Sequence, residues 1–301
     1  MNPDDVVGVE VPASAANLGP GFDSLAVALD VRLTAWTTDR VAERVLVDRE
    51  GAGELPTGED NLIWRTFVAY CERFGAAVPD VSLRTFSDIP LERGMGSSAA
   101  AAVAGAALAR AVTRAGGSDQ DLIDVAAEVE GHADNAAAAA IGGVVNVVDG
   151  RAHRFEPSAA LRPVLCIPHT RQATSAARGV LPEHVGLADA AATAARAALV
   201  LAGLTGAAAW HPAAMRDVLH EPPRFAVMPD SARLVDGLRS EGIGACLSGA
   251  GPSVLAVVGV RDGAAAERIA ALAGDGWQVR PSAWDRAGAA VCPPTVVPAA
   301  R

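Results

Sequence analysis

One stretch constrains the fold more than any other: "RGMGSSAAAAVAGAALARAV", residues 93–112, where a glycine turn opens onto an alanine-rich run. Alanine favours helix more than any other residue, so the run predicts a helix over residues 97–115. A glycine turn before a helix often grips phosphate, because the backbone can pass close to the anion and helix N–H groups point at it. Ser97 and Ser98 add hydroxyls, one of which can reach Mg²⁺. The alternative is a plain helix cap with tight packing at Gly94 and Gly96.

The absence of lysine limits the kind of phosphate site. All 25 basic residues are arginine. A Walker A loop and a protein-kinase site each need a lysine on the phosphates, so both are excluded, as is Schiff-base chemistry on lysine. Backbone amides, a helix dipole and a metal ion must then carry the phosphate charge.

A dinucleotide site is the second alternative for the glycine turn. Gly94, Gly96 and Ala99 match G-x-G-x-x-A, and Asp119 follows about 20 residues on, where that motif has an acid. In a dinucleotide fold the acid follows the next strand, whereas Asp119 here begins a second helix. The context therefore disfavours an NAD-dependent oxidoreductase.

Strand and helix patterns are mixed along all 301 residues without a regular parallel repeat, which predicts an α+β protein with a boundary near residues 155–160. Predicted strands cover 6–11, 24–36, 44–48, 81–90, 142–148, 161–168 and 277–284, with a hairpin over 243–260. Predicted helices cover 61–75, 97–115, 119–130, 186–204, 212–219, 230–242 and 263–274.

Composition narrows the partners and the compartment. Half of the residues are hydrophobic and the formal net charge is −10, which favours a packed globular protein and disfavours nucleic-acid or membrane partners. The four cysteines are scattered without a Cys-x-x-Cys pair, and the N-terminal residues lack a signal-peptide pattern. We therefore expect a cytoplasmic protein without a zinc or disulfide framework.

Two further segments carry polar side chains beside a turn. "PASAANLGPGFDSLAVAL", residues 12–29, is either a tight turn or a place where Asn17 and Asp23 face one cavity. "EVEGHADN", residues 128–135, is either a surface helix end or a glutamate on a nucleotide-bound Mg²⁺ beside a polar pocket. Its single histidine argues against zinc.

The second half offers a turn and two arginines. "LSGAGPSVLAV", residues 247–257, predicts a hairpin turn by itself. Arg178 and Arg224 are either surface residues or forked donors for a carboxylate.

Taken in order, "PASAANLGPGFDS", "PLERGMGSSAAA", "EGHADN" and "LSGAGPS" resemble the GHMP family of small-molecule kinases, over nearly the whole chain from about residue 8. "ANLGPGFDS", "GHADN" and "HEPPR" are similar to its homoserine branch. The resemblance implies an N-terminal domain like ribosomal protein S5 domain 2 over residues 1–157. It also implies a ferredoxin-like C-terminal domain over 158–301, with the active site between them.

The resemblance also implies the activity, which is ATP-dependent phosphorylation of the L-homoserine side-chain hydroxyl on the route to threonine, with Mg²⁺. The implied nucleotide contacts are Asn61, Leu62, Pro90, Arg93, Gly94, Met95, Gly96, Ser97 and Ser98. The implied substrate contacts are Asn17, Asp23, His132, Asp134, Asn135, Thr174, Arg178 and Arg224. The implied catalytic residues are Asp23, Ser98, Glu130 and Asp134. Ser98 and Glu130 would hold the metal, with Glu128 as the alternative to Glu130.

The sequence departs from the family pattern in places, and rival functions stay open. Met95 stands where leucine is usual, which nearly conserves volume. A kinase for mevalonate, a sugar or another small alcohol is one rival, and a catalytically silent metabolite sensor on the same fold is another. L-Homoserine is the expected small-molecule partner, and the oligomeric state, a homodimer among the options, is open.

Overall fold

The computed structural model describes residues 6–172 and 174–293, which form mixed helices and sheets. The strands are β1 Gly8–Asn17, β2 Gly21–Thr38, β3 Val45–Arg49, β4 Ser82–Ser87, β5 Val144–Val148, β6 Arg151–Phe155, β7 Leu161–Pro168, β8 Gly244–Leu247, β9 Val254–Gly259, β10 Trp277–Pro281 and β11 Ala290–Cys292. The helices are α1 Leu62–Arg73, α2 Ser97–Thr113, α3 Asp119–Glu130, α4 Asp134–Ile141, α5 Thr174–Gly179, α6 Leu187–Thr205, α7 Glu221–Val227, α8 Pro229–Ser240 and α9 Ala265–Ala273.

The first sheet is organised around one long strand, β2. Its order is β11-β1-β2-β4-β3, and β5 pairs with both β2 and β6. Since β2 has 18 residues, one part of it (Leu25–Val27) pairs with β5 while its far end (Leu33–Thr38) pairs with β4. β1 and β2 are antiparallel, so the turn that joins them brings Asn17 opposite Gly21 at the edge of the cleft described below.

Helix α2 is the centre of the first core because its side chains are small. Its alanines from Ala99 to Ala109 are mostly buried, and it packs against α1, α3, α4 and β1. At Gly105 an added Cβ would lie 2.1 Å from the carbonyl oxygen of Ile63 in α1, so the two helices approach too closely for a side chain there. The predicted helix over 97–115 is thus observed, ending two residues early.

The second sheet is antiparallel, in the order β10-β7-β9-β8, and its strands β7, β8 and β9 are largely buried on both faces. Side chains alternate along its strands, so Leu165 and Leu255 join the first core while Val164 and Val254 pack beneath α8 and α9. A core shared in this way joins the two halves of the chain.

Several segments differ from the sequence predictions, among them β6 and α5, which were not predicted. A 3₁₀ turn over Pro212–Met215 and helix α7 replace the single helix predicted over 212–219. The Asp217 side chain accepts hydrogen bonds from the amides of Leu219, His220 and Glu221, which starts a new helix after it. Helix α4 was not predicted either, since its first two residues, Asp134 and Asn135, were assigned to a helix end.

The end of the described chain returns to the first sheet, which the sequence did not indicate. β11 pairs with β1, and the buried carboxylate of Asp285 forms an ion pair with the partly exposed Arg32 of β2. The division into domains at residues 157 and 158 remains a proposal.

Helix α6 connects the two halves. Its buried residues Val200 and Leu204 belong to the first core. Among the described helices, α6 is the one that is long and apolar enough to cross a membrane by length and composition. In the structure, 22% of its apolar segment is buried.

Candidate active site

A cleft of about 410 Å³ opens between the first sheet's helices and the second sheet. Most of the predicted site residues line it: Asn17, Asp23, Pro90, Arg93, Gly94, Met95, Gly96, Ser97, Ser98, Glu130, His132, Asp134, Asn135, Arg178 and Arg224. Asn61 and Leu62 do not line it, and the side chain of Thr174 lies outside the described residues.

The start of α2 presents backbone amides to this cleft. Gly96 is the N-cap, in the left-handed conformation with φ of 67°, and no side chain caps the helix. The first N–H groups of a helix have no partner within the helix, and the helix dipole places partial positive charge there. Ser97 and Ser98 are the first two helical residues, so their amides and hydroxyls surround a site suited to phosphate.

The two glycines of the turn are required by neighbouring protein atoms. A Cβ at Gly94 would lie 2.1 Å from the carbonyl oxygen of Ser248, and one at Gly96 would lie 2.1 Å from Oγ of Ser14. Both glycines also have positive φ, of 69° and 67°. Tight packing at the glycines and a free helix start, which the sequence left as alternatives, are therefore both present.

The turn between β8 and β9 holds the glycine loop in place. Ser248 Oγ donates to the carbonyl of Gly94 at 2.7 Å, and the Gly249 amide donates to the carbonyl of Ala16 at 3.1 Å. Asn17 Nδ2 in turn donates to the carbonyl of Gly249 at 2.7 Å. The predicted hairpin turn therefore also joins the glycine loop to the β1–β2 turn.

Asp23 and Arg178 form an ion pair across the cleft. Arg178 Nη2 donates to both carboxylate oxygens of Asp23, at 2.9 and 3.2 Å. Asn17 Oδ1 accepts from the Asp23 amide at 3.0 Å, and both residues have positive φ, of 69° and 50°. Such backbone conformations are costly without glycine, and here they place the carboxylate of Asp23 at the cleft beside the buried amide of Asn17.

Arg224 is a buried cation that has no carboxylate partner within 4 Å among the described residues. Its side chain is held by neutral acceptors, namely the carbonyls of Ala177 and Gly249 and Nδ1 of His220. Burial lowers the pKa of Arg224, and the nearby charge of Arg178 adds to that effect. Two guanidinium groups therefore lie beside one cleft, and only that of Arg178 has a carboxylate partner among the described residues.

Asp134 and Asn135 begin α4 and line the cleft. Burial raises the pKa of Asp134, and the charge of Asp23 raises it further. Asn135 Oδ1 accepts a hydrogen bond from Ser14 Oγ at 2.9 Å. A carboxylate with a raised pKa is a better proton acceptor than an ordinary one.

Glu130, not Glu128, faces the cleft. Glu128 has a side chain 67% exposed and pairs with Arg73 at 2.8 Å on the surface. Glu130 lines the cleft together with Ser98, which gives one carboxylate and one hydroxyl. The described residues contain no group of three or more His, Cys, Asp or Glu that could hold a metal by themselves. The oxygen donors present suit a hard cation such as Mg²⁺ that also takes phosphate oxygens.

Asn61 and Arg93 are occupied by contacts within the protein. Asn61 caps α1, with Oδ1 accepting from the Ile63 amide at 3.0 Å, and it borders a narrow neighbouring cavity of about 40 Å³ shared with Ser97. Arg93 donates to the carbonyls of Pro168 and His169 at 2.8 and 3.0 Å. Their roles toward a nucleotide stay predictions.

The chain matches two family models in the expected order. The GHMP kinases N terminal domain matches residues 61–143, and the GHMP kinases C terminal domain matches residues 191–273. Homoserine kinase of Streptomyces avermitilis is 41% identical over 297 residues, which cover 95% of this chain and 96% of that protein. The chain belongs to the GHMP kinase family. Homoserine kinase of Streptomyces coelicolor is also 41% identical, with coverages of 95% and 94%.

Solved structures agree with this GHMP kinase in fold. Homoserine kinase from Cytophaga hutchinsonii superposes with a TM-score of 0.82 at 26% identity, covering 96% of this chain and 98% of that one. Mevalonate kinase from Methanococcus jannaschii gives a TM-score of 0.68 at 12% identity, covering 92% and 98%, which shows the shared fold alone. The predicted two-domain GHMP kinase fold is confirmed, and ATP is the phosphoryl donor that the family implies.

Sequence reasoning missed several residues at the cleft. Glu92, Gly249 and Ala250 line it, and His220 contacts Arg224 behind it. His220 lies in the quoted "HEPPR" segment, four residues before Arg224. Residues four apart on a helix are neighbours on its surface, and this spacing could have indicated the contact.

Proposed function

We propose that this kinase transfers the γ-phosphoryl group of ATP to the side-chain hydroxyl of L-homoserine, giving O-phospho-L-homoserine for threonine biosynthesis. The observation that carries the proposal is Arg224, 2% exposed and without a carboxylate partner within 4 Å among the described residues, at the wall of the cleft into which α2 points. An unpaired buried charge is costly, and a substrate carboxylate would pair with the buried guanidinium. Homoserine kinases with 41% identity over most of the chain support the same substrate.

The charges around Arg224 suit a zwitterion with a hydroxyl. Arg178 adds a second guanidinium, while Asp23 and Asp134 supply negative charge for an ammonium group and an acceptor for the hydroxyl. Recognition of the carboxylate would tell homoserine from a simple amino alcohol. Recognition of the ammonium would tell it from mevalonate, which also carries a carboxylate.

The phosphate side uses the start of α2. With no lysine in the chain, the amides at Ser97 and Ser98 and the helix dipole would hold the phosphates. Ser98 and Glu130 would hold Mg²⁺, which supplies charge neutralisation on the phosphate oxygens when bound.

Asp23 and Asp134 would have different roles toward the substrate hydroxyl. Phosphoryl transfer passes through a loose transition state that needs alignment more than a strong base. Asp23, held by Arg178 and Asn17, would orient the substrate. Asp134, whose pKa burial raises, is the residue better placed to accept the hydroxyl proton.

The remaining expectations belong to the same proposal. Asn61 and Leu62 would border the adenine beside the narrow cavity near Ser97. The protein would act in the cytoplasm on a small molecule, without a nucleic-acid or membrane partner, and with a domain boundary at residues 157 and 158.

A substrate panel tests the proposal. ADP release is measured with Mg²⁺ and ATP on L-homoserine, 3-aminopropan-1-ol, mevalonate and galactose, and the product is identified by phosphorus NMR. We expect turnover with homoserine, little with the amino alcohol that lacks the carboxylate, and none with mevalonate or galactose. Preference for either of the last two would refute the substrate. Tight ATP binding with no turnover on any alcohol would favour a metabolite sensor.

A further inference from the structure

His220 occupies an unusual place between the two sides of the substrate cleft. Its side chain is 1% exposed, with Nε2 2.8 Å from the carbonyl oxygen of Gly19 and Nδ1 2.8 Å from Nη1 of Arg224. A carbonyl oxygen can only accept and a guanidinium can only donate. The two contacts therefore require one tautomer, neutral and protonated on Nε2.

The surroundings of His220 keep it in that form. Burial, with the charge of Arg224 adding to it, lowers the pKa of His220 to about 4, although Asp217 opposes the shift. The ring stacks on Phe22 with centroids 5.4 Å apart, and the Arg224 guanidinium lies 5.6 Å from the same Phe22 ring. The imidazole is thus fixed in both protonation and plane.

The contacts of His220 join two structural elements that carry different substrate residues. Gly19 belongs to the β1–β2 turn that carries Asn17 and Asp23, and a Cβ on it would lie 2.1 Å from the carbonyl oxygen of Met215. Arg224 belongs to α7. One histidine therefore contacts both the β1–β2 turn and Arg224 of α7.

We propose that His220 is a positioning residue, which accepts a hydrogen bond from Arg224 and so aims its guanidinium at the carboxylate of an amino-acid substrate. The inference rests on the proposed function, because that function supplies the carboxylate. Without the acceptor, the guanidinium would remain charged and buried but would lose the contact that orients one of its terminal nitrogens.

Two substitutions, each replacing the hydrogen bond of one ring nitrogen, separate positioning from a structural role. In His220→Asn the amide oxygen can replace Nδ1 and still accept from Arg224, whereas the donor to Gly19 is lost. In His220→Gln the amide nitrogen can replace Nε2 and still donate to Gly19, whereas the acceptor for Arg224 is lost. His153→Gln, on the exposed strand β6, is the matched control.

Steady-state kinetics and calorimetry give the decision. We expect His220→Gln to raise KM and Kd for homoserine about 10-fold or more, since a hydrogen bond to a charged group is affected. KM for ATP and kcat at saturating homoserine should stay within about twofold, and His220→Asn should stay within about threefold in every constant. Equal effects of the two variants, or no effect of His220→Gln, would overturn the positioning role.

The same data distinguish failure of the positioning role from failure of the proposed function. If the wild type prefers another carboxylate substrate, the homoserine proposal fails. A KM for that substrate that rises more in His220→Gln than in His220→Asn would still support positioning. If the preferred substrate lacks a carboxylate, both are overturned. If turnover is absent altogether, the order of homoserine Kd values measured by calorimetry decides the role of His220 alone.

Discussion

The two arginines of the cleft should not be equivalent, although the sequence treats them alike. Arg224 is 2% exposed and lacks a carboxylate partner within 4 Å among the described residues, whereas the Arg178 side chain is 45% exposed and already paired with Asp23. A substrate carboxylate would be the first carboxylate to pair with Arg224. At Arg178 it must compete with Asp23 and with water.

The expected changes in the homoserine KM follow from the burial and pairing of the two arginines. A hydrogen bond to a charged group contributes about 1.5–3 kcal/mol when buried, and each 1.36 kcal/mol is about tenfold, so Arg224→Met should raise the homoserine KM roughly 10- to 160-fold. An exposed ion pair contributes about 0–1 kcal/mol, so Arg178→Met should raise it about fivefold at most. Neither substitution removes a phosphate contact, and KM for ATP should be nearly unchanged.

The assay is steady-state kinetics of both variants with each substrate varied in turn. Arg233→Met, an exposed arginine on α8 with a side chain 77% exposed, is the matched control and should behave as wild type. Thermal unfolding checks the fold, because Arg224→Met leaves the carbonyls of Ala177 and Gly249 without that donor. Equal KM effects at the two positions, or a larger effect at Arg178, would refute the argument from burial.

Four further substitutions probe the carboxylates. Glu130→Gln should lower kcat about 10²- to 10³-fold through weaker Mg²⁺ placement, while Glu128→Gln should leave kcat unchanged because that residue pairs with Arg73 on the surface. Asp134 is proposed to accept the hydroxyl proton, and burial raises its pKa, so kcat/KM should fall as pH drops through that raised value, and Asp134→Asn should lose this acidic limb in a pH–rate profile. Burial raises the pKa of Glu221 to about 7, so its contribution to stability is full below its ordinary value near 4.5 and is lost as pH rises through about 7. Chemical denaturation from pH 5 to 8 should therefore show a decline in the unfolding free energy of the wild type that is weaker in Glu221→Gln.

Each of these has an outcome that contradicts it. Loss of turnover in Glu128→Gln with full activity in Glu130→Gln would move the metal ligand by two residues. An unchanged acidic limb in Asp134→Asn would assign that limb to another group. Parallel stability profiles for the wild type and Glu221→Gln would mean that this carboxyl keeps one charge state across the range.

Local structure was predictable because it depends on neighbours along the chain. Helix α3 begins at Ser118 with a capping box completed by Asp121, and β7 spans the predicted residues 161–168. The glycine loop before α2 was likewise visible, since alanine propensity and a glycine turn act within a few residues. The motif order along the chain was sufficient to indicate the GHMP kinase family, and the comparisons confirm it.

Burial and pairing were decided only by the tertiary structure, because they join residues far apart in the chain. Ser248 and Gly94, whose contact closes the phosphate loop, are 154 positions apart. No local pattern tells that Glu130 faces the cleft while Glu128 faces solvent, or that Arg224 is buried while Arg178 is half exposed. The sequence determined which chemical groups are available, and packing determined which of them are buried away from water. Packing therefore also determined which buried charges need a partner of opposite charge from the substrate.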